Sequence, residues 1–261
     1  MIEARFAAPA SLLKNLADVL KDIVKEINFD MAPGGVSMQA MDSSHVSLVM
    51  LDLPATGFAH YKCSKECRIG VSLDALTKVL RCCGNEDVVT IHYDDANKAD
   101  TLTFLFENQR GDRISDFTLK LMDIDQEIMS LPEVEYPASF AMSSFDFQKI
   151  CRDLKEIDDV LQLTVGKDGV KFAVEGALGS GCVTARPATE QEMSDSAVNV
   201  NFTASTAIKL SLRYLIFFAK AASVATRVRA EVSGEMPAAV HYDMDTCGRL
   251  SFYLAPKMDD L

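Results

Sequence analysis

Cysteine and histidine are the residues of this chain whose types could hold a metal or carry a nucleophilic reaction. Cys63 and Cys67 stand four apart, and Cys82 and Cys83 are adjacent. A zinc site needs a second ligand pair at matching spacing, and His45, His60, His92 and His241 do not supply one. With Cys151, Cys182 and Cys247 the cysteines number seven, an odd count spread through a chain long enough to fold without staples, so reduced thiols are expected. His45 follows Asp42 and Ser43, but the members of a hydrolytic triad converge from separate segments rather than from one stretch. The run Gly176-Ala177-Leu178-Gly179-Ser180-Gly181 lacks the Lys-Ser/Thr of a phosphate loop and reads as a tight strand connection. The expectation is a protein with no catalytic centre, metal or cofactor.

Lysine and arginine offer a different chemistry, contact with phosphate. Lys14 and Lys21 are seven apart, Lys78 and Arg81 three, Lys149 and Arg152 three, and Arg213 and Lys220 seven. Those are same-face separations on a helix. Apolar residues at three- and four-residue spacing predict helices over Ser11 to Val24, Ser72 to Cys82, Ser144 to Leu154 and Leu210 to Ala221, with Ser11, Ser72 and Ser144 as caps. The formal net charge of −12 argues against a nucleic-acid partner only if charge is uniformly spread. These four segments run from neutral to +2, so the acidic excess lies elsewhere.

The elements that would position these residues are duplicated. Leu13 to Met38 overlies Phe147 to Phe172 at a constant offset of 134, with Leu16 on Ile150, Leu20 on Leu154 and Gly35-Val36 on Gly169-Val170. At an offset of 139, Val71-Ser72-Leu73 overlies Leu210-Ser211-Leu212. Two matches in one order indicate a tandem repeat of one domain. β-rich runs at Ser47 to Leu53, Val88 to Tyr93, Thr101 to Glu107, Arg113 to Lys120, Leu161 to Val165, Val170 to Glu175, Arg227 to Val232 and Gly248 to Leu254 make the class α+β. The acidic stretch 121–135 reads as a connector between domains at 1–120 and 136–261. No run is apolar enough to span a bilayer, and Met1 to Phe6 does not resemble a signal peptide, so an intracellular protein is expected.

Met41-Asp42-Ser43-Ser44-His45-Val46, Leu119 to Asp125, Ile150-Cys151-Arg152-Asp153-Leu154, Lys167 to Phe172 and Tyr253-Leu254-Ala255-Pro256-Lys257 together resemble the proliferating cell nuclear antigen family, the eukaryotic DNA sliding clamps. The resemblance runs from Met1 to Lys257. It implies a head-to-tail trimer of two-domain subunits in the processivity fold, with helices lining the ring interior and antiparallel sheets outside. Such a ring encircles duplex DNA without reading sequence and tethers a polymerase, a flap endonuclease, a DNA ligase and repair proteins after opening by a clamp loader. A nuclear location, a part in replication, repair and translesion synthesis, and no membrane partner follow from the same resemblance.

Residue by residue, the resemblance assigns Lys14, Lys21, Lys78, Arg81, Lys149, Arg152, Arg213 and Lys220 to the DNA pore; Asn15 departs from a lysine common in the family. It assigns Cys82, Arg113, Phe117, Lys120, Leu154, Ile157 and Leu178 to the subunit seam, where strand Arg113 to Lys120 would pair with a neighbour's strand around Leu178 to Arg186. For Cys82 and Leu154, core packing is an equal reading. The groove for partner peptides comprises Met41, His45, Val46, Leu48, Met129, Leu131, Pro132, Tyr136, Pro237, Tyr253, Leu254, Ala255 and Pro256. Lys167 matches the family's ubiquitin acceptor. A heterotrimeric checkpoint clamp is the nearest alternative, and a thiol- or metal-dependent enzyme is one from another class.

Overall fold

The computed structural model describes residues 1–94, 100–125, 129, 135–187 and 197–257. The chain divides into two compact units, one of Met1–Ser43, Val49–Met129 and Met244–Leu250, the other of Ser44–Leu48, Ser130–Asp243 and Ser251–Leu261.

The first unit contains β1 (Ile2–Phe6), α1 (Ala10–Leu20), β2 (Glu26–Ala32), β3 (Gly35–Met41), β4 (Ser47–Pro54), β5 (Phe58–Cys63), β6 (Cys67–Ser72), α2 (Leu73–Leu80), β7 (Val88–Tyr93), β8 (Thr101–Glu107) and β9 (Ile114–Lys120). Its strands run in the orders β5-β1-β7-β8-β9 and β4-β3-β2-β6. The second contains β10 (Ala138–Ser143), α3 (Ser144–Lys155), β11 (Val160–Gly166), β12 (Gly169–Gly176), β13 (Gly179–Ala185), β14 (Asn199–Phe202), β15 (Thr206–Ser211), α4 (Leu212–Ala219), β16 (Arg227–Val232), β17 (Ala238–Asp243) and β18 (Arg249–Leu254). Its orders, β14-β10-β16-β17-β18 and β13-β12-β11-β15, repeat the first unit's arrangement strand for strand. The pairings β1 with β5 and β7, β2 with β3 and β6, and β11 with β12 and β15 are all antiparallel. The chain is therefore α+β, two tandem domains with far more strand than helix.

The repeat read from the sequence persists at the level of single hydrogen bonds. Leu73 N donates to Lys25 O and Leu212 N to Asp159 O, each at 2.9 Å, at corresponding positions of the two units. Met122 N reaches Gly70 O at 2.9 Å, and Lys257 N reaches Lys209 O at 2.8 Å, again in correspondence. The glycine in register has a steric reason. Gly35 (φ 143°) and Gly169 (φ 112°) close equivalent hairpins, and a Cβ on either would sit 2.2 Å from a carbonyl oxygen, that of Leu53 or of Ala185. Only a residue without a side chain fits the backbone conformation and the close approach together.

The first and fourth helix starts shift, and none of the three serine caps expected at Ser11, Ser72 and Ser144 forms. The first helix begins at Ala10 behind Pro9 instead of at a Ser11 cap, because Asp87 O and Asn85 O accept from Ala10 N (3.1 Å) and Ser11 N (2.9 Å). A loop distant in sequence thus satisfies donors that a capping side chain would otherwise take. Ser72 occupies its N-cap position but makes no side-chain cap. Ser144 is fully buried, and Ser143 caps instead, accepting from Asp146 N at 3.4 Å. The fourth helix is shorter than its apolar pattern, since Leu210 and Ser211 pair with Leu161 and Val160 as the end of β15. The first helix also ends early, at Leu20 rather than Val24.

Each unit's core lies between its helix pair and its strands. Phe218 stacks on Phe252 at 4.5 Å between centroids, and Phe140 and Phe147 meet Phe172 edge-on. Burying each such ring contributes about 1.5–3 kcal/mol. Tyr242 is fully buried with a hydroxyl that finds no partner among the described residues. Gly169→Ala should lower the unfolding free energy by about 1–3 kcal/mol in denaturant titration. Tyr242→Phe should leave it unchanged or raise it by about 1 kcal/mol; a clear loss would show that the hydroxyl is satisfied.

Candidate functional site

In the first unit α1 packs beside α2, and the basic residues on them differ in freedom. Lys14 is half-buried: its Nζ donates to Cys83 O at 2.6 Å and to Asn85 Oδ1 at 3.0 Å, tying α1 to the same loop that supplies its N-terminal acceptors. Asp18 draws in cations from both helices, pairing with Lys21 and lying 3.9 Å from Arg81. Lys78 is exposed. In the second unit α3 packs beside α4, with Lys149, Arg152, Arg213 and Lys220 all exposed. Arg152 donates to Gln148 Oε1 at 2.9 Å, and Lys220 Nζ lies 5.7 Å from the Phe217 ring centroid.

Helix polarity accounts for part of this placement. Lys21, Arg81 and Lys220 are the C-cap residues of α1, α2 and α4, and Lys155 ends α3. The partial negative charge of a helix C-terminus favours a cation there. Sequence reading missed Lys155, which pairs with Asp159; that hydrogen bond, with Lys257 and Arg213 nearby, holds the Asp159 carboxyl below its usual range. An exposed pair of this kind is screened by solvent and adds little to stability.

Of the strands expected at a subunit seam, β9 and β13 each stand at an end of a strand order. Arg113 and Lys120 are exposed, and Arg113 lies 3.8 Å from Asp87. Phe117 packs on Phe106 at 5.4 Å. Leu154 belongs to the core at 3% exposure, and Ile157 is half-buried; a Cβ on Gly181 of β13 would meet both. Cys82 is exposed. Leu178, at 84% exposure, and Ile114, at 65%, are the most open large apolar residues described. Ile114 was missed, although alternation along Arg113 to Lys120 would have placed it on the outward side with Asp116.

Most of the expected groove lies in the second unit. Tyr136 Oη donates to Pro237 O at 2.9 Å, and burial pushes this hydroxyl up to about 12. Ala255 N donates to Val46 O at 3.0 Å; Leu254 and Leu48 are buried, while Tyr253, Ala255 and Pro256 are half-buried. His45 is exposed and takes a left-handed backbone (φ 56°). Met41 is half-buried in the first unit, where the Gln39 side-chain amide holds Met129 at both its N–H (3.0 Å) and its carbonyl (2.7 Å). That clamp leaves the Met129 side chain 46% exposed. Leu131 and Pro132 lie outside the described residues. Lys167 is exposed in the turn between β11 and β12.

A polar tie beside Tyr253 carries no local signal in the sequence. His241 meets the Tyr253 ring edge-on at 6.0 Å, shares a 2.8 Å hydrogen bond between Nδ1 and Ser251 Oγ, and places Nε2 3.5 Å from Glu231. Ser251 lies inside β18 at 7% exposure, which leaves no approach for a substrate carbonyl. The three residues fix neighbouring strands and do not form a nucleophilic centre. Among the thiols, burial pushes Cys151 up to about 12, which keeps it protonated and inert.

The N-terminal domain model of proliferating cell nuclear antigen matches residues 1–129, and the C-terminal domain model matches residues 130–257. A protein named proliferating cell nuclear antigen from Chaetomium thermophilum is 42% identical over 260 residues, covering 100% of this chain and 99% of the relative. Two domain models in tandem, over units that repeat each other strand for strand, place this chain in the proliferating cell nuclear antigen family of non-catalytic sliding clamps.

Proposed function

We propose that this chain is the subunit of a homotrimeric clamp that encircles duplex DNA and holds replication and repair proteins on it. Residues 1–120 and 136–261 are its clamp domains and 121–135 the connector. The observation that carries this reading is the tandem of family domains in which α2, α3 and α4 and their ends expose Lys78, Arg81, Lys149, Arg152, Arg213 and Lys220, in a chain of net charge −12. Lys14, Lys21, Lys78, Arg81, Lys149, Arg152, Arg213 and Lys220 face phosphate in this reading. The contacts read no bases, and retention comes from topology. The open strands β9 and β13, with Leu178 and Phe117, close the ring head to tail.

The apolar surface around Tyr136, Pro237, Tyr253 and Pro256 of the second unit takes short peptides from polymerase, flap endonuclease, ligase and clamp loader. The clamp works in the nucleus, and Lys167, exposed in a turn, accepts ubiquitin to admit translesion synthesis.

Light scattering on the purified chain should give three times 28.6 kDa. Assembly only with other subunits would favour a checkpoint clamp. Leu178→Asp should convert the trimer to monomers while retaining the thermal transition of each unit. The double variant Arg81→Glu, Lys220→Glu should keep the trimer and lower the slope of log affinity against log salt by about 1–2 per subunit; an unchanged slope would remove these residues from the DNA contact. Tyr253→Ala should weaken a fluorescent partner peptide at least tenfold without altering DNA retention.

A further inference from the structure

The core of the first unit is incompletely filled. Between its helices and strands lies a cavity of about 70 Å³, bounded by Leu13, Ala17 and Leu20 of α1, Leu76 of α2 and Phe29 and Met31 of β2, among others, with no polar surface. One water needs about 10–15 Å³ and two to four polar partners. This space has the volume but none of the partners, so it stays dry. Apolar cavities of about 150 Å³ take benzene or xenon; at half that size the fitting guest is monatomic or a very short chain, not a ring. Met31, unbranched and polarizable, can adjust around such a guest.

The repeat bears on the same space independently. Phe147 and Cys151 stand in the second unit where Leu13 and Ala17 stand in the first, and both are buried, at 2% and 0% exposure. Leu163 and Val165 replace Phe29 and Met31 in turn, so the two cores are filled by different side chains on one backbone plan. The larger Phe147 and Cys151 on α3 are matched by a smaller Leu163 and Val165 on β11, so Leu13→Phe or Ala17→Cys on α1 adds volume that Phe29 and Met31 do not give back.

We propose that this cavity is a binding site for one small apolar molecule per chain, of the size of a xenon atom. A guest there binds the folded unit alone and steadies α1 and α2, the helices that carry Lys14, Lys21, Lys78 and Arg81. Xenon is the probe, applied under pressure to crystals and to solutions of the full chain. Anomalous scattering should show one xenon among these residues, and the unfolding midpoint should rise by about 1–3 °C. Leu13→Phe should abolish both effects; Ala17→Cys is the smaller plug if the phenylalanine prevents folding. An empty cavity in the wild-type crystal would overturn the proposal, as would a folded plug variant that keeps the xenon peak and the midpoint shift.

Discussion

Leu16, Ala17 and Leu20 of α1 and Leu76 and Leu80 of α2 turn into the core of the first unit, and Phe147, Cys151 and Leu154 of α3 and Leu215, Phe218 and Ala219 of α4 do the same in the second. This burial fixes the rotation of each helix about its axis. Once the apolar stripe is committed to the sheet, Lys78, Arg81, Lys149, Arg152, Arg213 and Lys220 have only the solvent side left. The hydrophobic core thus decides where positive charge goes in a chain whose net charge is negative. Loss of a buried leucine from one of these helices would disturb charge placement as well as stability.

A second constraint is the reuse of one backbone plan with different side chains. Equivalent carbonyls accept from Leu73 and Leu212, and equivalent glycines permit the hairpins at Gly35 and Gly169. The side chains packed on that plan have diverged, as Leu13 against Phe147 illustrates. Duplicated geometry supplies two similar basic helix pairs, while divergence leaves room for unit-specific features such as the tie among His241, Ser251 and Glu231.

What was legible in the sequence follows from this division. Helix stripes and the duplicated offset are local or translational signals, and they predicted α3 and the strands at Val88–Tyr93 and Thr101–Glu107 closely. Helix caps failed where the acceptors came from far along the chain: no inspection of Ser11 reveals Asn85 O or Asp87 O. The same reasoning applies to Lys14, whose spacing suggested a free cation but whose ammonium is held by the loop beside it. His241, Ser251 and Glu231 lie on three different strands and become neighbours only through sheet order. Exposure at Ile114 was readable from alternation, yet an edge strand's outward residues gain meaning only once the edge is known.

In the proposed function, topology rather than affinity keeps the ring on DNA, and the helix cations are weak, sequence-blind contacts. Retention after loading onto nicked circular DNA, compared with the same DNA linearised, measures this directly across a salt titration. The circle should retain the protein through salt concentrations at which the linear form has lost it, with rapid loss once the circle is cut. Equal retention on both forms, falling together with salt, would mean ordinary electrostatic binding and would contradict it.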